Sequence, residues 1–480
     1  MPKYKKPDHK ILITIISNEL LIDKVPCEVF LPERSTGAVE LFCRPTYEQW
    51  NRLTRHFEFS IEGEAKDYSG AIYLRIQANK VYAKHQSSQH WGDNLSDSIF
   101  IGEPTDLMVI SYLHRHDPIG EKKGPVGNFW LTPSIFLTPA KIIKSSYTGD
   151  VSVETVRSFQ FALENGVQLH FNTHYQHIEN ENDDKVTFPE LVAEFELENG
   201  LNDINSILPY LDDFLMIVSF AARQHCMCIG WDVTISDAHT IKYTKYYRRD
   251  ITIPKIKKEH SFNDTLIDIQ EFENFISTSY KKYIAIDQKE PIRQAIYRSF
   301  HKENRTLENE FMAVYSALET IVLFFRRSHQ MEHVLPEDKW NHLNQDLRDY
   351  IKSHPLCLEK EKRKFIYEKL PELNRISFPT AFRELCENYE VDLSDLWPVV
   401  ERSGGMPLSG IRDKLVHGDT FSPLEYDAVI TANEHLKWTL ERLILSVLGW
   451  PPTKSKVSKN FLPIMTCYKS LENDRKLLPK

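Results

Sequence analysis

Part-way along the chain the spacing of apolar residues changes from two to between three and four. Before about residue 255, segments such as KILITII, GAVELFC, AIYLRIQ, TDLMVISYL and VQLHFNTHY alternate apolar and polar positions between Gly, Pro, Asn and Asp clusters. Alternation sends every second side chain to one face of a pleated strand, so this half buries a face only as sheet. One stretch inside it, LNDINSILPYLDDFLMIVSFAARQHCMCI at 201–229, has helical spacing, and IKYTKYYRRDITIP returns to strand. Beyond Pro254 the period stays helical. Residues 262–285 and 291–304 each read as a helix, and in TLENEFMAVYSALETIVLFFRRS the residues Leu307, Phe311, Val314, Leu318, Ile321, Val322 and Phe325 form a wide apolar stripe. Such a stripe requires a packed helical neighbour.

Two or three helices are expected between 337 and 396. The segment SPLEYDAVITANEHLKWTLERLILSVLGW then reads as one helix of about 28 residues, apolar at Tyr426, Val429, Ile430, Leu436, Leu440, Leu443, Ile444, Val447 and Leu448. At 480 residues the chain exceeds what one core usually supports. The expected architecture is α+β and multidomain. It has a β-rich domain over 1–255, a helical linker over 256–289, an all-α bundle over 290–450 and a basic, loose tail over 451–480.

Composition narrows the functions available. The longest apolar runs, at 214–222 and 319–325, are far shorter than the roughly 18 residues of a membrane span. The opening MPKYKKPDHKILITII has lysines before a short apolar run but no small-residue cleavage site, so a cytoplasmic location without a membrane partner is expected. A net charge of −9 argues against a general nucleic-acid coat protein and keeps any RNA contact local. Seven cysteines, an odd number, fit a reducing compartment rather than a disulfide framework. Cys226 and Cys228 are separated by one residue rather than two, and no second close pair completes four zinc ligands. On a strand His170 and His174 share a face that His177 does not, and His114 and His116 have no third ligand nearby. No P-loop, nucleotide-binding glycine turn or serine elbow occurs, so neither a cofactor nor a metal is expected.

The stretch SGIRDKLVHGDTF, 409–421, sets an arginine and a histidine with four residues between them before a glycine. Spacing alone decides nothing. With 23 arginines and 19 histidines, composition yields roughly three such pairs, and Arg326 and Arg327 with His333 and Arg348 with His354 are others. Those rivals lie at helix C-termini, where cations complement the helix dipole. In IRDKLVHG, by contrast, Ile411, Leu415 and Val416 are expected toward a core and Gly418 at the helix end, leaving Arg412, Asp413 and His417 at the surface.

These segments, the long helix with ALE, the section ending ISFPTAFRELCENY, then IRDKLVHG and a long helix ending LG, resemble the ApeA-like branch of the HEPN superfamily. That branch comprises helical bundles similar to prokaryotic RNases of antiviral and toxin systems, and the likeness covers roughly a third of the chain. The resemblance implies that Arg412, Asp413 and His417 are the active motif of a homodimeric endoribonuclease. It also implies an abortive-infection role against phage, with host RNA, tRNA among the candidates, as substrate. The β-rich half would sense a phage-derived trigger. Helix geometry at about 100° per residue places Asp413 roughly 40° and Arg412 roughly 140° from His417. Asp413 is therefore expected to orient the His417 imidazole, and Arg412 to curl round the helix or to act opposite a second copy. Imidazole suits proton transfer near neutrality during attack of a ribose 2′-hydroxyl, and guanidinium suits the phosphate oxygens. The products would be 2′,3′-cyclic phosphate and 5′-hydroxyl ends. Glu319 is open to two readings, an auxiliary acid or the partner of an arginine. The segment IKYTKYYRRDITIPKIKK, with Lys242, Lys245, Arg248 and Arg249 among tyrosines, reads either as a single-stranded RNA contact or as a lysine-guarded sheet edge. A silent bundle that binds RNA or a nucleotide, or one that only oligomerises, is the alternative to the enzyme.

Overall fold

The computed structural model describes residues 6–478 except 18–19, 33–36, 54–57, 92–94, 115–125, 146–150, 180–184, 197–203, 237–238, 249–263, 301–305, 357 and 402–403. The chain divides into two compact units, Met1–Ser219 with His225–Ser261 and Phe220–Gln224 with Phe262–Lys480.

In the first unit β1 (His9–Ser17), β2 (Leu20–Phe30), β3 (Glu40–Cys43), helix α1 (Tyr47–Leu53), β4 (Glu58–Lys66), β5 (Ile72–Trp91) and β6 (Leu95–His114) follow in chain order. The strands pair antiparallel as β6-β3-β2-β1-β4-β5, and β5 pairs back with β6 to close a six-stranded barrel. The alternation read from sequence places Ile11, Ile13, Ile15, Val25, Cys27, Val29, Phe59 and Ile61 in its buried interior. Then come β7 (Val126–Leu131), β8 (Ala140–Ser145), β9 (Val151–Arg157), β10 (Gln160–Ala162), β11 (Gln168–Glu179), β12 (Lys185–Glu196), α2 (Ile204–Ala222), β13 (Cys228–Ser236) and β14 (Thr240–Arg248). Strand β6 is 20 residues long, so one of its edges serves two partners: Phe100 to Gly102 meet β3, and Asp106 to His114 meet β14. From β14 the sheet continues through β13, β7, β12, β11 and β10, while β8 and β9 form a separate ribbon.

By length and composition α2 passes for a membrane span, but 61% of its apolar window is buried inside the protein. Its Phe214 packs on Phe161 at 4.6 Å and Phe171 at 5.8 Å, so the apolar face is spent on the sheet.

The second unit is helical: α3 (Phe272–Ile284), α4 (Glu290–Phe300), α5 (Leu307–Ser328), α6 (Glu337–Ser353), α7 (Lys360–Lys369), α8 (Phe378–Asn388), α9 (Leu408–Val416), α10 (Tyr426–Val447) and α11 (Thr466–Leu477). The expected stripe of α5 is buried from Phe311 to Phe325. Helix α10 is buried nearly all round, polar His435, Glu441 and Arg442 included, as suits a helix at the centre of a bundle. Two boundaries differ from expectation. The unit's main part begins at Phe262, and α3, expected in a linker, puts Phe272, Phe275, Ile276, Tyr280 and Tyr283 in the core. Its helix starts ten residues later than the reading from 262. Residues 451–478 are no loose tail: Val457, Leu462 and Leu478 are fully buried, and the Thr431 hydroxyl donates to Asp474 at 2.6 Å. A few apolar anchors spread widely among lysines leave no periodic signal.

Candidate functional site

Helix α9 is short, and its ends are tied by backbone. At the start, the N–H groups of Leu408 and Ser409 donate to the carbonyls of Pro398 and Val399, both at 2.9 Å, satisfying donors a helix leaves open. At the finish, Gly418 adopts φ +82°, its N–H donates to Leu415 O at 3.1 Å, and Asp419 N–H donates to Lys414 O at 3.1 Å. This is a Schellman closure, and it makes His417 the C-cap residue. Leu408 and Ile411 face the core. Val416 does not: it is 51% exposed. The helical wheel explains the correction, because Val416 lies about 40° from Arg412 but about 140° from Ile411.

The structure brings Arg412, Asp413 and Glu319 together. Arg412 Nη2 pairs with Glu319 Oε1 at 3.3 Å, and Nη1 donates to Asp413 Oδ1 at 3.1 Å. Of the two readings of Glu319, the arginine partner is the one seen, although Glu319 sits at the surface, 41% exposed. Arg412 Nε is buried without an acceptor, so the guanidinium keeps one N–H unused. His417 is exposed, and among the described residues its ring makes no hydrogen bond or ion pair. The expected contact from Asp413 to His417 is therefore not formed. The Asp413 carboxylate turns instead to Arg412, whose charge is permanent and whose fork reaches it along the same helix.

Two neighbours went unread in the sequence. Tyr315, one turn before Glu319 on α5, is buried, and burial together with the charges of Glu319 and Asp413 raises its hydroxyl pKa, keeping a neutral phenol beside the ion pairs. The i, i+4 step from Tyr315 to Glu319 is the signal that was available. Lys414 Nζ lies 4.2 Å over the Phe421 ring and 3.6 Å from Glu425, which fixes the loop after the motif.

The remaining candidates are scattered or already engaged. On β14 the pleat sends Lys242 and Arg248 to one face and Lys245 to the other. Arg248 is held in a double hydrogen bond by Asp212 at 3.0 and 3.2 Å, Tyr246 stacks on Trp231 at 5.3 Å, and Tyr247 is buried. The strand is bonded to β13 and β6, so it is no sheet edge; on the face opposite Lys242 and Arg248, Lys245 Nζ lies 5.3 Å over the Tyr243 ring. Arg249 and residues 250–258 lie outside the described residues, as does His116.

Cys226 and Cys228 are buried, and burial pushes both thiols up to about 12, away from the thiolate that zinc takes. His174 pairs with Glu194 at 3.0 Å. His114 Nε2 donates to the Ile72 carbonyl at 3.3 Å, which leaves Nδ1 to accept from Thr240. Among the described residues no three His, Cys, Asp or Glu side chains gather as a metal site. Comparison of the chain with protein-family models, curated proteins and solved structures finds no match.

Proposed function

We propose that the helical unit is a metal-independent endoribonuclease of HEPN type, acting in the cytoplasm in an abortive response to phage. The observation that carries the reading is Arg412, a half-exposed guanidinium held by Glu319 and Asp413 on the helix that His417 caps. Pre-positioning of this kind is what a phosphate clamp needs, since a fork already ordered loses little freedom when an anion arrives. Asp413 is 63% exposed and readily gives way to a phosphate oxygen, while Glu319 keeps the arginine in place.

His417, free at the helix end, moves the proton. As base it takes the proton of a ribose 2′-hydroxyl while Arg412 meets the charge growing on the phosphate. The 2′-oxygen attacks phosphorus, the bond to the 5′-oxygen breaks as that oxygen takes a proton from water or from the protonated imidazole, and the ends are a 2′,3′-cyclic phosphate and a 5′-hydroxyl.

The two groups lie roughly 140° apart on the helix, which favours one phosphate being reached from both across two copies of the motif over a path of Arg412 around its own helix. Leu323, one turn past Glu319, and Val416, one turn past Arg412, are 38% and 51% exposed, which supports a self-complementary contact on this face. One observation favours a second reading, a bundle that docks RNA or a nucleotide without cutting it: no described side chain orients the His417 ring. Purified chain incubated with RNA in EDTA separates the two. Cleavage that persists in chelator and disappears in His417→Ala is expected. Cleavage only with added magnesium or manganese would defeat the metal-free mechanism, and binding without cleavage would select the second reading.

A further inference from the structure

Cys27 on β2 and Cys43 on β3 are register partners in the barrel wall. Both point inward, at 3% and 0% exposure, and the Cys43 thiol donates to Cys27 Sγ at 3.5 Å. The adjacent pair settles which kind of site this is. The Arg44 N–H donates to the Pro26 carbonyl at 2.9 Å, so residues 26 and 44 form the hydrogen-bonded pair and 27 and 43 the non-hydrogen-bonded one. In non-hydrogen-bonded pairs the Cα atoms approach to about 4.5 Å with side chains closest, within the roughly 4.4 to 6.8 Å that a disulfide spans. Cys226, in the stretch before β13, and Cys228, at the start of that strand, are not cross-strand register partners.

We propose that Cys27 and Cys43 are a cross-strand dithiol that oxidises to a disulfide and staples the barrel. With hydrogen peroxide as oxidant, the thiolate of one cysteine attacks a peroxide oxygen, hydroxide leaves, and a sulfenic acid forms. The second thiol displaces the sulfenic oxygen as water and closes the S–S bond. Two hydrogens and two electrons leave the thiols, and the peroxide becomes two molecules of water.

Access comes through β3, which at four residues is the shortest barrel strand and meets β2 through four positions and β6 through three. Short strands open locally at lower free energy than the long ones beside them. While closed, the hydrogen bond to Cys27 and burial hold the Cys43 thiol well above its ordinary pKa, so it stays protonated and unreactive. Oxidation therefore reports on opening of this strand rather than on surface exposure. The bridge would enclose residues 27 to 43 and draw its stabilisation from restricting the unfolded chain.

The test uses the full chain, freshly reduced, then exposed to peroxide or to oxidised glutathione, unfolded in alkylating agent and digested. The expected product is a Cys27–Cys43 linked peptide two hydrogens lighter than its parts, with Cys386 and Cys467 alkylated. The melting temperature of the barrel should rise by roughly 5 to 10 °C on oxidation and return with dithiothreitol. Cys43→Ala and Cys27→Ser should each lose both the linked peptide and the rise. Full alkylation of Cys27 and Cys43 after oxidation of the wild-type chain, sulfinic acids in place of the link, or a linked peptide with no change in melting would overturn the proposal. The wild-type measurement decides even where a variant fails to fold.

Discussion

Arg412 and His417 sit on one short helix, yet the structure gives them different company, and their variants should fail differently. Arg412 is fixed by two carboxylates, whereas His417 touches nothing that would miss it. His417→Ala is expected to lower RNA cleavage by roughly 10² to 10⁴, the usual worth of a placed acid or base, with RNA affinity and melting temperature unchanged. Arg412→Ala should abolish turnover and also weaken binding, because a phosphate contact is lost. Asp413→Ala was expected from the sequence to act through the imidazole. Since Asp413 instead bonds Arg412, its loss should appear as altered affinity more than as an altered pH profile. Binding, cleavage and melting measured side by side on the three variants check this, and wild-type cleavage by His417→Ala would remove the histidine from the mechanism. The company of Glu319 was half legible, because ALE on a long helix and IRD on a short one allow an arginine partner. The turn of Asp413 was not, because an angle on a helical wheel says which side chains are near and not which attraction wins.

The end of α9 and the interior of α10 show what an element reveals in advance and what it hides. Gly418 was readable as a helix stop, and its φ of +82° is the reason; no atom lies within 4 Å of an added Cβ, so only the backbone term remains. Gly418→Ala should therefore cost about 1 to 2 kcal/mol in urea unfolding and loosen the placement of His417, with a fall in cleavage at unchanged RNA affinity. In α10 the apolar stripe was visible, but Ile430, counted in it, is 44% exposed, and the buried charges were not foreseen. Arg442 is held by Asp395 at 2.7 and 2.8 Å and by the Val457 carbonyl at 2.7 Å, and Glu441 by Arg223 at 2.5 and 2.6 Å. Partners 47 and 218 residues away leave no local pattern. His435 is the same kind of case: Nδ1 accepts from the Trp397 N–H and Nε2 donates to the Cys467 carbonyl, both at 3.2 Å. Burial lowers its pKa to about 4. A depressed imidazole pKa means that the unfolded chain takes the proton first as pH falls. Stability is thus complete above pH about 6.5 and drains away between there and 4, by about 3 kcal/mol in all. Urea titrations from pH 8 to 4 should show this slope, and His435→Gln should flatten it; equal slopes would assign the acid sensitivity elsewhere.

Across the whole chain, the change of period announced a β-rich unit before a helical one, and the units divide after Ser261, with Phe220–Gln224 also belonging to the helical one. What the period could not announce is closure. The barrel closes because β5 pairs back with β6, and the sheet continues past it because β6 is long enough to serve β3 and β14 on its other edge; pairing partners are not written in a strand's own alternation. Nor does period say which exposed apolar residues await a second chain. Leu323 and Val416 lie one turn past Glu319 and Arg412 and are 38% and 51% exposed in the single chain, and a two-fold axis on this face would bury both while setting two His417 rings opposite two guanidinium groups. Val416→Asp and Leu323→Asp place a carboxylate where the partner's apolar surface would come, so each should convert a dimer to a monomer in sedimentation velocity. Helical content and melting of that monomer should stay near wild type, because neither side chain is buried within one chain. Cleavage should fall with the dimer fraction and recover, for Val416→Ala, at higher protein concentration, since association is then weakened rather than opposed. A monomer that cuts RNA at the wild-type rate would show that one chain supplies base and clamp together, and would return Arg412 to a path around its own helix.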